Sequence, residues 1–298
     1  MSGLIESSGV GCVAPVSGEF EHLEEVLTWG LPRLRDLPWR RVRDPWAILV
    51  SEVMLQQTQA SRVIPKWHEF MAAYPSPAKC ADAPLGDVLR LWQGLGYPRR
   101  ARNLRAAAVE IVALGEFPAT LDALLQLPGV GGYTARAVLA FAFEADAAVV
   151  DTNIARVLAR VAGGRLTAKQ VQAAADAALP TGDSWAWNQC LMDLGAELCR
   201  PGRALCDACP LQDHCAWRGR GDDPSIGSAG VSTPQTRFAG SDRQARGRLM
   251  KALTDGPVSI DRIAAVMRCD ATRAARLVGD LQREELVVQC GEAVQLPV

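Results

Sequence analysis

The sequence predicts an all-α protein that ends in a small module of three helices and a β-hairpin. From Phe20 to Arg218, apolar residues recur at three- and four-residue spacings, and Pro or Gly lies at the breaks between these runs. No stretch of that region alternates apolar and polar residues for long enough to predict a sheet. Residues 219–236 then turn to Gly, Ser, Pro and Thr, a composition typical of a linker between two domains.

The composition is that of a globular chain without a membrane segment. Hydrophobic residues make up 49% of the 298 residues, and no uncharged apolar run is long enough to span a bilayer. Residues 1–18 have neither a basic start nor a continuous apolar stretch, so we expect a flexible tail, no signal peptide and a cytoplasmic location. Because the net charge is −1, any attraction to a polyanion must come from local basic surface.

The segment after the linker predicts a winged-helix-like module over residues 238–298. The stretches "SDRQARGRLMKALTD" and "SIDRIAAVM" predict two helices, and Asp270 is a candidate cap for a third through "ATRAARLVGDLQREE". The final "LVVQCGEAVQLPV" alternates around a Cys-Gly-Glu turn and predicts a hairpin. Such modules bind DNA or other proteins, and a small packing domain is the alternative.

A glycine-rich turn, "LPGVGG", separates two predicted helices. Gly129, Gly131 and Gly132 have no Cβ, so a bulky ligand can approach their amides, and the second helix begins directly after them. Backbone N–H groups at a helix N-terminus attract anions such as phosphate. A plain turn between two helices explains the same residues equally well, so the phosphate site needs a second observation.

Four closely spaced cysteines provide that observation. Cys199, Cys206, Cys209 and Cys215 follow the pattern C-x6-C-x2-C-x5-C, which predicts a metal centre rather than disulfides in a chain without a secretory signal. Zinc sites more often pair two C-x2-C knuckles across a longer insertion, whereas four thiolates in one loop suit an iron–sulphur cube. His214 is an alternative ligand if the metal is zinc.

Together, the glycine turn and the cysteine spacing closely resemble the endonuclease III family of helix-hairpin-helix DNA glycosylases, from about Leu37 to about Trp217. The resemblance implies that the glycine turn holds a phosphate of double-stranded DNA and that the four cysteines hold a 4Fe-4S cluster. Together with the linker composition and the C-terminal pattern described above, it predicts a division into parts. These are an iron–sulphur cluster domain (19–44 and 149–219), a six-helix module with the hairpin (45–148), a linker (220–237) and the winged-helix-like module (238–298).

The stretch "DPWAILVSEVMLQQTQ" indicates which base is removed. Asp44 is a candidate N-cap and Pro45 a first helical residue, after which Glu52, Gln56 and Gln59 fall on one predicted helix face. A carboxyl group and two carboxamides suit the edge of an adenine, although a solvated helix face is the ordinary interpretation. "SEVMLQQTQ" resembles the signature of adenine mismatch glycosylases, the MutY type, which favours adenine. The buried stripe of this helix is predicted to be Trp46, Leu49, Val50 and Val53.

Cleavage of the bond between adenine and deoxyribose requires an acid on the base and a negative charge near the sugar. Glu52 is the candidate acid, which burial would keep neutral by raising its pKa. Asp151 is the candidate negative charge, because the family's catalytic aspartate follows the hairpin at this distance, although Asp151 also suits an N-cap. Asn153 is expected to orient the adenine or the carboxylates.

The resemblance further implies a hydrolase that does not cut the DNA strand. Family members that do so form a Schiff base on a lysine in the hairpin helix, and Tyr133 occupies that position here. No lysine lies between Lys79 and Lys169. We therefore expect a monofunctional glycosylase with Tyr133 in its base pocket.

Extrusion of the base requires a side chain that wedges the stack. In "LWQGLGYPRRARNL", Tyr97 follows two glycines and precedes several arginines, which suits intercalation with phosphate contacts, and a core tyrosine is the alternative. Gln57 is a second candidate wedge, and Pro98 stands where the family usually has another tyrosine. The basic residues that follow Tyr97 are Arg99, Arg100 and Arg102.

The resemblance implies base excision repair of adenine paired with 8-oxoguanine or guanine in double-stranded DNA, by a monomer. Family members usually read 8-oxoguanine with a longer C-terminal domain and its Phe-Ser-His loop, whereas here residues 238–298 predict the winged-helix-like module. We expect either the catalytic core or that module to take over this recognition. Two alternatives stay open: a glycosylase for thymine or oxidised pyrimidines in the same superfamily, and an iron–sulphur DNA-binding regulator without catalysis.

Overall fold

The computed structural model describes residues 23–232 and 237–298. The described residues form fourteen α-helices and one small sheet, which confirms the all-α prediction, and none of these helices is long and apolar enough to cross a bilayer. The predicted tail, residues 1–18, lies outside the described residues. The helices in chain order are α1 (Leu23–Gly30), α2 (Pro45–Leu55), α3 (Ala60–Ala73), α4 (Pro77–Ala81), α5 (Leu85–Leu91), α6 (Arg99–Leu114), α7 (Leu121–Leu125), α8 (Gly132–Ala142), α9 (Thr152–Ala162), α10 (Ala168–Ala177), α11 (Ser184–Glu197), α12 (Asp242–Asp255), α13 (Ile260–Met267) and α14 (Ala271–Arg283).

The chain divides into two compact units. Within the described residues, the first unit comprises 23–35 and 146–232, and the second comprises 36–145 and 237–298. In the first unit, α11 packs against both α1 and α9. The buried Asp193 of α11 accepts hydrogen bonds from Arg35, at 2.9 Å from its backbone N and 2.7 Å from its Nε, which fixes the segment after α1. The first unit is therefore a layer of helices around α11.

The described part of the predicted linker packs on the first unit. Ser225 and Ser228 are buried, and Ser228 Oγ accepts a hydrogen bond from the backbone N of Leu166 at 3.1 Å. Ala229 donates its N–H to Leu166 O at 2.9 Å. These hydrogen bonds satisfy polar groups whose burial would otherwise cost free energy, so this part of the predicted linker is packed. Residues 233–236 of the predicted linker lie outside the described part.

In the second unit, α2 is the central helix and packs against α3, α6 and α8. Asp44 caps it as predicted, accepting a hydrogen bond from Trp46 N. The predicted buried stripe is buried, but so is the opposite side of the helix, including Ser51 and Glu52. Residues 45–148 were predicted to hold six helices and contain seven. The additional helix is α4, a short turn capped by Ser76.

The C-terminal segment contains the three predicted helices and the predicted hairpin. The hairpin strands are β2 (Val288–Cys290) and β3 (Ala293–Gln295), and a two-residue strand, β1 (Val258–Ser259), pairs with the other edge of β3. All pairings are antiparallel, in the order β1-β3-β2. The strand β1 was not predicted because two residues carry no measurable alternation. Asp270 caps α14 as expected.

This segment docks on α5 and α6 of the same unit. Gly86 donates its N–H to Pro297 O at 2.8 Å, and Arg102 Nη1 donates to Glu284 O at 2.7 Å. A Cβ on Gly86 would lie 2.4 Å from Pro297 O, so the chain terminus is seated against this glycine. The C-terminal segment is therefore packed onto the helices that precede the hairpin.

We expect Gly86→Ala to lower the thermal unfolding midpoint, because the new methyl group overlaps Pro297 O and overpacking costs ~1–3 kcal/mol. The matched control is Gly247→Ala in the middle of α12, where nothing lies within 4 Å of an added Cβ. That control should leave the midpoint unchanged or raise it, since Ala is favoured over Gly inside a helix by roughly 0.5–1 kcal/mol. Equal midpoints for both variants would contradict the close packing of Pro297 against Gly86.

Candidate functional site

A buried carboxyl lies beside the start of the hairpin helix. Glu52 on α2 is 4% exposed, and Tyr133, the second residue of α8, places its Oη 2.7 Å from Glu52 Oε2. Packing of α2 against α8 brings the two side chains together. The burial excludes the solvated helix face that was the ordinary interpretation of Glu52. A buried carboxyl with a hydroxyl partner can hold a proton or release one to a bound base.

The prediction that Glu52, Gln56 and Gln59 share one helix face is wrong. Helix α2 ends at Leu55, Gln56 is its C-cap with ψ of 108°, and Gln59 caps the start of α3. The three side chains therefore do not share a helix face. Gln56 nevertheless turns back toward α8, with Nε2 3.4 Å from Thr134 Oγ1, next to Tyr133. Gln56 therefore lies close to the predicted base pocket, but because the chain turns after α2 and not because of helical spacing.

The guanidinium of Arg100 binds the C-terminal end of α2. The sequence predicted only that Arg100 belongs to a basic cluster. Its Nη1 donates to the carbonyls of Val53 at 2.7 Å, Met54 at 3.0 Å and Gln56 at 2.8 Å. Its Nη2 donates to Leu95 O at 2.9 Å. Burial lowers the pKa of Arg100 to about 10. The last carbonyls of a helix have no partner within it, so a guanidinium fork can both satisfy them and link them to another loop.

The two candidate wedge residues lie in the turns that Arg100 links. Gln57 and Tyr97 are exposed, and both have left-handed backbone, with φ of 57° and 49°. The Arg100 guanidinium also lies 5.4 Å from the centre of the Tyr97 ring. A non-glycine residue in this region costs of order 1–3 kcal/mol, so the surrounding contacts must hold it there. Both candidates therefore lie on exposed turns that Arg100 holds in place.

The other predicted DNA-binding arginines differ in their surroundings. Arg99 is exposed at the start of α6. Arg102 instead donates to Glu284 O and, at 3.0 Å, to Asn103 Oδ1, and it lies 3.7 Å from a carboxylate oxygen of Glu285. A phosphate at Arg102 would have to compete with these partners.

The three hairpin glycines have two distinct roles. Gly129 has φ of 77°, and an added Cβ would lie 2.7 Å from Asn103 Cβ, so the fold itself requires glycine there. Gly131 caps α8 without a side chain, and nothing lies within 4 Å of a Cβ built on it or on Gly132. Both residues are exposed, and the first N–H groups of a helix have no partner within it, so this helix start is a candidate anion site.

Asp151 is the N-cap of α9, as one of its two predicted roles requires. Its Oδ1 accepts hydrogen bonds from the backbone N of Asn153 at 2.9 Å and of Ile154 at 2.7 Å. Its Oδ2 accepts from Asn153 Nδ2 at 2.8 Å. Burial raises the pKa of the Asp151 carboxyl above its ordinary value, although these hydrogen bonds lower it in part. Capping therefore fixes the carboxyl without excluding a catalytic role.

Hydrogen bonds connect Asp151 to the cysteine loop. Arg156 Nη2 donates to Asn153 Oδ1 at 2.8 Å, and its Nε donates to Cys199 O at 2.6 Å. Arg156 is buried and missing from the predicted site. Its signal in the sequence was weak, because an arginine inside "NIARVLAR" has the spacing of an ordinary amphipathic helix.

The four cysteines line one pocket, whose cavity volume is about 20 Å³. The buried Arg160 lies in its wall, where its Nη1 donates to Cys199 Sγ at 3.1 Å, and its Nη2 forms an ion pair with Asp223 at 2.6 Å. Four soft thiols that line one pocket fit a multi-iron cluster in both donor chemistry and number. Burial raises the pKa of Cys209 to about 11, so ligand binding there must displace a proton.

Across residues 23–232 and 237–298, no three His, Cys, Asp or Glu side chains are grouped as one metal ion requires. His214, the alternative zinc ligand, has its Nε2 3.8 Å from a carboxylate oxygen of Glu25.

The hairpin and the buried carboxyl beside it define a DNA glycosylase of the helix-hairpin-helix class. The model of the HhH-GPD superfamily of base excision DNA repair proteins matches residues 50–180. The adenine DNA glycosylase of Mycolicibacterium smegmatis is 41% identical over 277 residues, which are 90% of this chain and 93% of that protein. The chain belongs to the adenine DNA glycosylase family, and the predicted family is confirmed.

Further comparisons agree with this family. The human adenine DNA glycosylase is 39% identical over 222 residues, covering 69% of this chain and 41% of that protein. The solved structure of a thermostable thymine-DNA glycosylase has a TM-score of 0.63 and 32% identity, covering 66% of this chain and 94% of that one. A non-covalent endonuclease III–DNA complex has a TM-score of 0.59 and 25% identity, covering 66% and 93%.

Substitutions in the hairpin should separate stability from DNA binding. Gly129→Ala should lower the free energy of unfolding by about 1–2 kcal/mol, because Ala is strained in left-handed backbone. Gly131→Ala should unfold normally but bind duplex DNA roughly tenfold more weakly, the equivalent of ~1.4 kcal/mol, because its methyl group blocks approach to the α8 N–H groups. Denaturant unfolding and fluorescence anisotropy measure the two effects, and normal DNA affinity of Gly131→Ala would argue against a phosphate at this helix start.

Proposed function

We propose that this chain is a monofunctional glycosylase that hydrolyses the bond between adenine and deoxyribose in duplex DNA, where the adenine is paired with 8-oxoguanine or guanine. The observation that carries the proposal is the buried Glu52 carboxyl, 2.7 Å from Tyr133 Oη at the start of the hairpin helix. The relatives named as adenine DNA glycosylases support adenine as the base. The enzyme acts as a monomer on chromosomal DNA.

Glu52 protonates the departing adenine. The apolar body of α2 around it favours the neutral carboxylic acid before the base arrives, and proton transfer leaves a carboxylate. The Tyr133 hydroxyl then donates a hydrogen bond to Oε2, which stabilises the new charge. The same carboxylate can accept a proton from the attacking water. No amine is needed in this sequence of steps, which agrees with Tyr133 at the position of the lysine in strand-cutting relatives.

Asp151 stabilises the positive charge that develops on the sugar. Two backbone N–H groups and Asn153 hold its oxygens in fixed positions, so the negative charge is placed before the bond breaks. Arg156 in turn holds Asn153. Electrostatic stabilisation by a preorganised group costs no rearrangement during the reaction.

The remaining predicted residues bind DNA or the cluster. The α8 start at Gly131 and Gly132 holds a phosphate, and Tyr97 and Gln57 wedge the base stack. A 4Fe-4S cluster on the four cysteines, when bound, supplies a rigid cross-link within the loop. Support for the cluster is the shared pocket of the four thiols, and Arg160 donates a hydrogen bond to one of them.

Removal of thymine is the second candidate. The structural likeness to a thermostable thymine-DNA glycosylase favours it. A thymine is expelled without an acid at the purine N7, so a thymine enzyme would not need the buried carboxyl of Glu52. The two candidates differ in which mismatch releases free base.

The substrate and the acid are tested together. Under single-turnover conditions, the wild-type enzyme should release adenine from 8-oxoguanine:A and G:A duplexes and no base from G:T. Glu52→Gln should bind the same duplexes but excise at least ~10²–10⁴-fold more slowly, because it has lost the general acid. Base release from G:T alone would establish the thymine candidate, and near-wild-type excision by Glu52→Gln would remove Glu52 from the mechanism.

The cofactor is tested by composition. Protein purified without oxygen should be brown and contain iron and sulphide near four atoms each per chain, because four thiolates in one loop ligate a four-iron cube. Cys206→Ser should lower both contents. Stoichiometric zinc without sulphide would contradict the cluster.

The pH dependence of excision reports on Asp151. Its pKa is raised by burial, so as the pH falls the carboxyl takes up its proton earlier than an ordinary aspartate, and the single-turnover rate should fall with it. Asn153→Ala removes a hydrogen bond that lowers this pKa, so the acid limb of the profile should move to higher pH. An acid limb that does not move would show that another group controls it.

A further inference from the structure

The C-terminal module, residues 237–298, contacts the turn that carries Tyr97. Arg243, the second residue of α12, donates from Nη1 to Tyr97 Oη at 3.2 Å. Its guanidinium also lies 5.2 Å from the centre of the Phe238 ring. The module therefore adds a cation and a second aromatic ring to the surface around the candidate wedge.

These side chains stay accessible to a large ligand. Phe238 is 53% exposed and Tyr97 is 36% exposed. Arg99 is exposed at the start of α6, two residues after Tyr97. Aromatic rings interleaved with arginines are typical of surfaces that stack on bases and bind phosphates.

The third helix of the module is less suited to DNA. In winged-helix proteins that helix is the usual reader of the major groove. Here Arg273 Nε donates to Asp242 Oδ1 and Arg276 Nη2 to Asp242 Oδ2, both at 2.7 Å. Arg283 is paired with Asp280. The three arginines of α14 thus share two carboxylates of the module, which offset most of their positive charge.

We propose that Tyr97, Arg243 and Phe238 form one DNA-contact site, in which the C-terminal module binds the duplex beside the extruded base. Arg243 contacts a backbone phosphate, and Phe238 packs on the adjoining sugar or base while Tyr97 enters the stack. The hydrogen bond from Arg243 to Tyr97 joins the two parts of the site. The inference rests on the proposed function only in taking duplex DNA as the ligand.

Binding by the full-length chain tests the site. The probe is a fluorescein-labelled duplex with a central G:A pair, in which a 2′-fluorine on the adenine nucleotide blocks cleavage. Arg243→Gln should weaken binding roughly fivefold and reduce the slope of log affinity against log salt by about 0.9, the value of one phosphate contact. Phe238→Ala should weaken binding without changing the slope. Arg243→Lys should keep the slope because it keeps the charge.

Arg276→Gln is the matched control on α14. It should bind within twofold of wild type, because Arg276 is already paired with both Asp242 and Asp280. Wild-type affinity and slope for Arg243→Gln would overturn the proposal, as would weaker binding with an unchanged slope, which would leave Arg243 only positioning Tyr97. An equal loss in Arg276→Gln would move the contact to α14. Because the probe is not cleaved, these outcomes do not depend on whether the wild-type enzyme releases adenine.

Discussion

The arrangement of the second unit depends on one guanidinium. Arg100 binds the open carbonyls at the end of α2 and the carbonyls of the glycine turn before Tyr97. Without it, α2 would end with buried carbonyls lacking partners, each costing on the order of 1–3 kcal/mol. The same bonds fix where α2 stops, and hence where Gln56 leaves the helix and Gln57 adopts its left-handed backbone. A single side chain thereby couples the helix that carries Glu52 to both exposed turns.

Local signals predicted where elements begin. Asp44 followed by Pro45 marks the start of α2, and the glycines before Tyr133 mark the start of α8, because caps and turns depend on neighbours within a few residues. The end of α2 had no such signal, since Arg100 lies 44 to 47 residues away from the carbonyls that it binds. For this reason the prediction that Glu52, Gln56 and Gln59 share one helix face was wrong. Glu52 itself was singled out by the family resemblance.

The predicted linker shows what composition alone cannot predict. Gly, Ser, Pro and Thr are read as loop residues because they lack a large apolar side chain. Nothing in the sequence shows that Ser228 meets the backbone of Leu166, or that Asp223 meets Arg160, because both pairs are more than sixty residues apart. The four-cysteine loop was found because its spacing is local, whereas its arginine neighbours required the fold.

Asp151 serves the fold and the proposed chemistry with the same two oxygens. Asparagine is as good an N-cap as aspartate, so Asp151→Asn keeps the start of α9 while it removes the charge. The altered protein would retain its hairpin, its cysteine loop and its grip on DNA. Abundance and solubility would therefore report only on the cap, which the substitution keeps, and would not reveal the lost charge.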